Sequence, residues 1–169
     1  MIKEKIAFVF PGQGAQRIGM AQDLFKEYET VRHTFEQVSD ISHKNIAKLC
    51  FEGPIEELNT PEITSLGTFA HSVSIARLLE KQFDMPLYQI GYAITGHSMG
   101  QYSALHCAGS ISFEDAVRLL SARSSYMSMV DKSGGGMACI AGLGKEDVEM
   151  CLLAATGHGY AAISNHNAR

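Results

Sequence analysis

The chain has 169 residues, of which 46% are hydrophobic and 19% charged, and its net charge at neutral pH is -4. That composition supports one ordinary domain with a core and excludes a disordered chain. The charge offers no basic footprint for nucleic acid, and no apolar run approaches the ~20 residues of a membrane span.

The N-terminus, Met1-Ile2-Lys3-Glu4-Lys5, runs into a strand-like segment without a secretory h-region and cleavage site, so a cytoplasmic location is expected. Ile6-Ala7-Phe8-Val9-Phe10 is a continuous apolar run, as in a parallel strand buried on both faces. Pro11-Gly12-Gln13-Gly14-Ala15-Gln16 reads as a loop. Val31, Phe35, Val38 and Ile41 then recur at helical spacing, and Gly53-Pro54 marks a break. A stronger helical stripe runs through Ile63, Leu66, Phe69, Val73, Ala76, Leu79 and Phe83 to a stop at Pro86. A strand at Tyr92-Ala93-Ile94-Thr95 leads to Gly96-His97-Ser98-Met99-Gly100, and a helix from Gln101 to Ala108 follows.

Gly109 suits a helix C-cap, and Ser112-Phe113-Glu114-Asp115 suits a capping box for a helix with Ala116, Leu119, Leu120 and Met127 on its apolar face. The glycine run Ser133-Gly134-Gly135-Gly136 reads as a linker or hinge. Past it a new β-α-β pattern begins: Met137 to Ala141, Lys145 to Ala155, then Tyr160 to Ile163. Strands alternating with helices predict an α/β fold with a mostly parallel sheet, in two parts, 1–132 and 133–169.

Strand, glycine-flanked turn and helix are the setting of a nucleophile elbow, in which Ser98 is lifted out at a helix N-terminus. An incidental serine in a glycine-rich turn is the plainer alternative. In an elbow, the Met99 N–H forms half of an oxyanion hole, and the Pro11–Gly14 loop is suited to supply the other half. Taken alone, that loop is better explained as an ordinary glycine-rich turn. Arg123, 25 residues past Ser98, could pair with a substrate carboxylate, although an arginine on such a helix is more often simply at the surface. Cys50, Cys107, Cys139 and Cys151 show no C-x-x-C spacing, and no histidine falls in a ligand motif. Free thiols are therefore expected, and no metal site.

Phe10-Pro11-Gly12-Gln13-Gly14-Ala15-Gln16 with Gly19-Met20 resembles the opening signature of malonyl-CoA:acyl carrier protein transacylases. Gly96-His97-Ser98-Met99-Gly100, with Tyr102-Ser103-Ala104-Leu105 and Ala108-Gly109, resembles their nucleophile motif. Gly53-Pro54 with Glu56-Glu57-Leu58-Asn59, Arg123, and Gly136-Met137-Ala138 also match. The resemblance implies an α/β-hydrolase-like large subdomain and a small ferredoxin-like subdomain of which only the start is present. It implies a ping-pong reaction in fatty acid or polyketide synthesis. Ser98 takes malonyl from malonyl-CoA and passes it to the phosphopantetheine thiol of acyl carrier protein, with no cofactor. In that scheme Gln13 and Met99 hold the oxyanion, Arg123 binds the malonyl carboxylate, and His97 assists near the pocket.

Two positions depart from the family pattern: Gln101 where a glutamate is usual, and Ser65-Leu66-Gly67 where Gln-Pro-Ala is common. The family's catalytic histidine belongs to a later motif, so the chain reads as the N-terminal portion of a transacylase. Asn165-His166-Asn167 resembles an Asn-x-Asn segment midway through the small subdomain. His97 points away from its neighbour across the elbow, and His106 is about two helical turns from Ser98, so neither serves as base. Two other functions fit the same residues: a hydrolase clearing acyl groups from carrier proteins, and a non-catalytic carrier-protein docking module. A sheet lacking its later strands would expose apolar edges, so the segment is expected to be unstable as an isolated monomer.

Overall fold

A parallel pair of strands, β1 (Ala7–Phe10) and β2 (Ala93–Gly96), organises the functional end of the protein. Their register pairs Ala7 with Ala93 and Phe10 with Gly96, so both strands leave the sheet at the same end. The computed structural model describes residues 5–131 and 136–167. The chain divides into two compact units, Met1–Ser133 and Gly134–Arg169. The fold is α/β.

In the first unit, α1 (Gln22–Glu27) and α2 (Glu29–Ser42) follow the loop after β1. Val31, Thr34, Phe35 and Val38 form the buried stripe of α2, at the spacing that keeps one helix face on the core. Phe35 is wholly buried, with its ring centroid 5.9 Å from that of Phe25 and 5.5 Å from that of Phe51. Burial of such a side chain is worth about 1.5–3 kcal/mol. Asn45 caps α3 (Ile46–Glu52), its Oδ1 accepting the Lys48 N–H at 3.0 Å. The Gly53-Pro54 break, a cis peptide, precedes α4 (Ile55–Leu58).

The central helix is α5 (Pro61–Phe83), which starts with proline in its first turn and touches α2, α3 and α8. Every residue from Ile63 to Ala70 is buried, so this half of α5 is enclosed on all sides rather than amphipathic. Gly67 makes that enclosure possible: a Cβ there would lie 2.6 Å from Cys50 Sγ and 2.9 Å from Met20 Cε. Asp84, at φ 51°, closes the helix, and the short α6 (Leu87–Ile90) leads to β2. After β2 come α7 (Gly100–Cys107) and α8 (Phe113–Asp131). The expected cap of α8 is present: Ser112 Oγ accepts the Asp115 N–H at 3.0 Å and donates to Asp115 Oδ2 at 2.7 Å. Gly109 follows α7 at φ 74°.

Three expectations fail. β1 is not buried on both faces: Ala7 and Val9 alternate outward, and Val9 is 69% exposed. The sheet of the described residues has two strands, and Ala93 and Thr95 of β2 are exposed like their β1 partners. Leu119 is 45% exposed, and Val117 takes its place beside Ala116 and Leu120 in the core. Most clearly, Met137–Ala141 and Tyr160–Ile163 form no strands. Extended segments need a hydrogen-bonding neighbour to become strands, and these two have none among the described residues. The second unit's described structure is one helix, α9 (Lys145–Ala154), with Gly144 N donating to Asp147 Oδ2 at 3.2 Å and a Lys145–Glu149 ion pair. The linker glycines 134 and 135 lie outside the described residues.

Candidate active site

The parallel register brings the turn after β1 and the turn after β2 against each other. His97 N donates to Phe10 O at 3.0 Å, continuing the β ladder past the strand ends. Two glycines permit the backbones to touch. A Cβ on Gly12 would come within 2.6 Å of His97 Nδ1 and 2.9 Å of His97 O. One on Gly100 would collide with the Phe10 and Pro11 carbonyls, and one on Gly96 with the Gly100 backbone. The turn between them is tight: Gly100 N donates to His97 O at 2.8 Å and Gln101 N to Ser98 O at 3.1 Å.

Ser98 occupies the left-handed region at φ 50°, a conformation disfavoured for any residue with a Cβ. Such backbone strain concentrates where the surrounding structure holds a side chain in a working position. Ser98 stands two residues before α7, whose first-turn N–H groups favour negative charge nearby. This strand–turn–helix arrangement has the backbone geometry expected of a nucleophile elbow.

Arg123 reaches the elbow from α8. Its Nη2 donates to Ser98 Oγ at 3.1 Å, across 25 residues of chain. The surface-arginine alternative therefore does not hold, since the side chain is half-buried and faces the serine. The adjoining residue, Ser124, was not singled out by the sequence and fixes this turn of α8. Its buried Oγ lies 2.9 Å from Leu120 O and 3.2 Å from Pro61 O at the start of α5. Ser65, where the family pattern has glutamine, is spent on the same junction, with Oγ donating to Pro61 O at 2.7 Å.

Met99 is buried directly after Ser98, and Gln13 is exposed on the facing loop. Among the described residues neither backbone N–H is committed to a protein acceptor. His97 is exposed, with its ring over Gly12. No histidine of the described residues is hydrogen-bonded to Ser98. His106 is held elsewhere, its Nδ1 3.3 Å from Ile111 O and its ring packed against those of Phe69 and Phe113. Burial lowers its pKa, and burial followed by the Arg17 charge does the same for His71. The thiols of Cys50 and Cys107 are buried and pushed up to about 12, which makes them poor nucleophiles. All four cysteines are free, and the described residues contain no cluster of three or more His, Cys, Asp or Glu suited to a metal.

Residues 7–168 match the acyl transferase domain. The chain belongs to that family. Among acyl transferase relatives, it is 39% identical over 163 residues to the malonyl CoA-acyl carrier protein transacylase of Haemophilus influenzae, covering 95% of this chain and 51% of the relative. Its fold matches the acyl-carrier-protein-S-malonyltransferase of Bartonella henselae with a TM-score of 0.86 and 31% identity, over 97% of this chain and 52% of that one. A second solved acyl transferase is a complex of a type II PKS acyl-carrier protein with its malonyl-transacylase. It matches with a TM-score of 0.78 and 34% identity, over 91% of this chain and 49% of that one. The chain spans about half the length of the curated relatives it matches. No helix of the described residues is long and apolar enough to cross a membrane.

Proposed function

We propose that this chain carries the acyl-binding half of a malonyl-CoA:acyl carrier protein transacylase of fatty acid or polyketide synthesis, acting in the cytoplasm. Ser98 Oγ attacks the malonyl thioester carbonyl, and the carbonyl electrons move onto an oxyanion accepted by the Gln13 and Met99 N–H groups. Collapse of that intermediate breaks the thioester C–S bond and leaves malonyl esterified to Ser98. The proton given up by the serine hydroxyl ends on the departing coenzyme A sulfur, which leaves as the thiol. The phosphopantetheine thiol of acyl carrier protein then attacks the ester and regenerates the serine. The reaction is displacement at an acyl carbon, so it calls for no cofactor and no metal. His97 lines the approach over Gly12. The histidine that the family resemblance implies as proton acceptor has no counterpart at Ser98 among the described residues.

In this reading residues 1–132 form an α/β-hydrolase-like large subdomain, and 133–169 begin a ferredoxin-like small one. The observation that carries the proposal is the Arg123–Ser98 contact at 3.1 Å. A guanidinium beside the nucleophile gives the free carboxylate of malonyl a partner, whereas a neutral acyl group gains nothing from it. That favours malonyl transfer over clearance of simple acyl groups and over a docking module without chemistry.

The experiment is intact-protein mass spectrometry after brief incubation with malonyl-CoA. The expected result is one malonyl group on the wild-type chain and none on Ser98→Ala. Uptake of acetyl as readily as malonyl would instead support the hydrolase, and a chain that takes neither would be the docking module.

A further inference from the structure

The loop that offers Gln13 is anchored at both ends, with Ile18 packed on Gly53, but its tip at Gln13, Gly14 and Ala15 has no packing support. At one end Gly12 packs on His97; at the other Gly19 N donates to Cys50 O at 2.8 Å and Met20 is buried. Gln13, Gly14 and Ala15 are exposed, and Gly14, at φ 105°, has no atom within 4 Å of where its Cβ would be. Burial therefore cannot set the position of the Gln13 amide.

One side chain bridges this gap. Gln16 Oε1 accepts the Gly14 N–H at 2.8 Å, and Gln16 Nε2 donates to Asn59 Oδ1 at 2.9 Å. Asn59 is itself fixed at the end of α4, its N–H donating to Ile55 O at 2.9 Å, one residue before the cap of α5. The chain from Gly14 through Gln16 to Asn59 ties the loop to the helical body immediately beyond Gln13. It also gives a task to two parts of the sequence that the acyl-transfer chemistry left unused, Gln16 and the Leu58-Asn59 turn.

We infer that Gln16 and Asn59 form a clasp that holds the Gln13 amide in place as an oxyanion donor, making both of them positioning residues for acylation of Ser98. The inference rests on the acyl-transfer reading of Ser98. An oxyanion donor works only when held where the charge develops, and complete loss of one such donor slows turnover by about a hundredfold or more. Loosening it costs less, on the order of tenfold.

The test compares wild type with Gln16→Ala, Asn59→Ala, the double variant and Asn59→Asp. Hydrogen exchange of the Gly14 amide is followed by NMR. Ser98 acylation is followed by mass spectrometry with two donors, p-nitrophenyl acetate and malonyl-CoA. Both single alanine variants are expected to speed Gly14 exchange and slow acylation by either donor about tenfold, with the malonyl-CoA concentration for half-maximal rate unchanged. The double variant should be no slower than either single, and Asn59→Asp, which keeps an acceptor for Gln16 Nε2, should recover most of the rate. A wild type acylated by the ester but not by malonyl-CoA would sink the malonyl reading while the ester rates still decide the clasp. The clasp is overturned if the alanine variants exchange and acylate like wild type, or if Asn59→Asp is as slow as Asn59→Ala. It is overturned equally if wild-type Ser98 takes an acyl group from neither donor.

Discussion

Arg123 Nη2 donates to Ser98 Oγ at 3.1 Å, so a guanidinium carried on α8 is in direct contact with the serine of the turn after β2. If that guanidinium receives the malonyl carboxylate, Arg123→Ala removes a charge-assisted pair worth about 2–3 kcal/mol, or roughly 30- to 160-fold in malonyl-CoA acylation. Acylation by a neutral ester should change far less. Arg123→Lys should recover only part of the loss, because an ammonium cannot reproduce the planar fork. Rates with the two donors, measured on each variant, check this.

Gly100 faces the Phe10 and Pro11 carbonyls so closely that a methyl group cannot be accommodated by moving a side chain. Gly100→Ala must push the two turns apart, at about 1–3 kcal/mol of stability. Acylation of Ser98 should fall by more than that figure implies, because Gln13 and Met99, the proposed oxyanion donors, lie on the two turns being separated. Gly136→Ala, where a Cβ would meet nothing within 4 Å, is the matched control and should unfold like wild type. Urea denaturation together with acylation rates would show whether the close approach matters.

Buried His106 and His71 are expected to make stability fall in acid. Burial lowers the folded-state pKa of each below the ordinary 6.5. Well above pH 6.5 both are neutral in either state and the folded protein retains its full stability. As pH falls below 6.5 the unfolded chain takes up protons that the folded one resists, so stability is lost through the folded-state pKa values. The urea midpoint should therefore be lower at pH 5.5 than at pH 7.5, and His106→Gln should reduce the difference. An equal dependence in that variant would assign the effect to other groups.

The outward row Ala7, Val9, Ala93 and Thr95 exposes one face of the β1–β2 pair, with Val9 69% exposed. An uncovered apolar strand face promotes association. Val9→Thr keeps the strand-favouring branched shape while adding a hydroxyl, and should reduce concentration-dependent association in sedimentation runs. A monomeric wild-type chain with a sharp, reversible melt would contradict both this prediction and the expected instability of the isolated segment.

The sequence by itself determined the local features of this protein. The stripe of Val31, Phe35 and Val38, the Ser112 cap, and the tight turn in which Gly96 meets the Gly100 backbone each encode their geometry within a few residues, because helix periodicity, capping and tight turns are short-range matters. Whatever needed a distant partner was decided only by tertiary structure. Arg123 could be told from a surface arginine only once α8 was packed on α5, through Ser124 and Pro61, and turned toward Ser98. Gln16 and Asn59, 43 residues apart, carry no local sign of their bond. The apolar runs at Met137–Ala141 and Tyr160–Ile163 show the converse. Their sequences suit strands, but a strand is completed by the hydrogen bonds of a neighbour, and no periodicity within a segment can supply one.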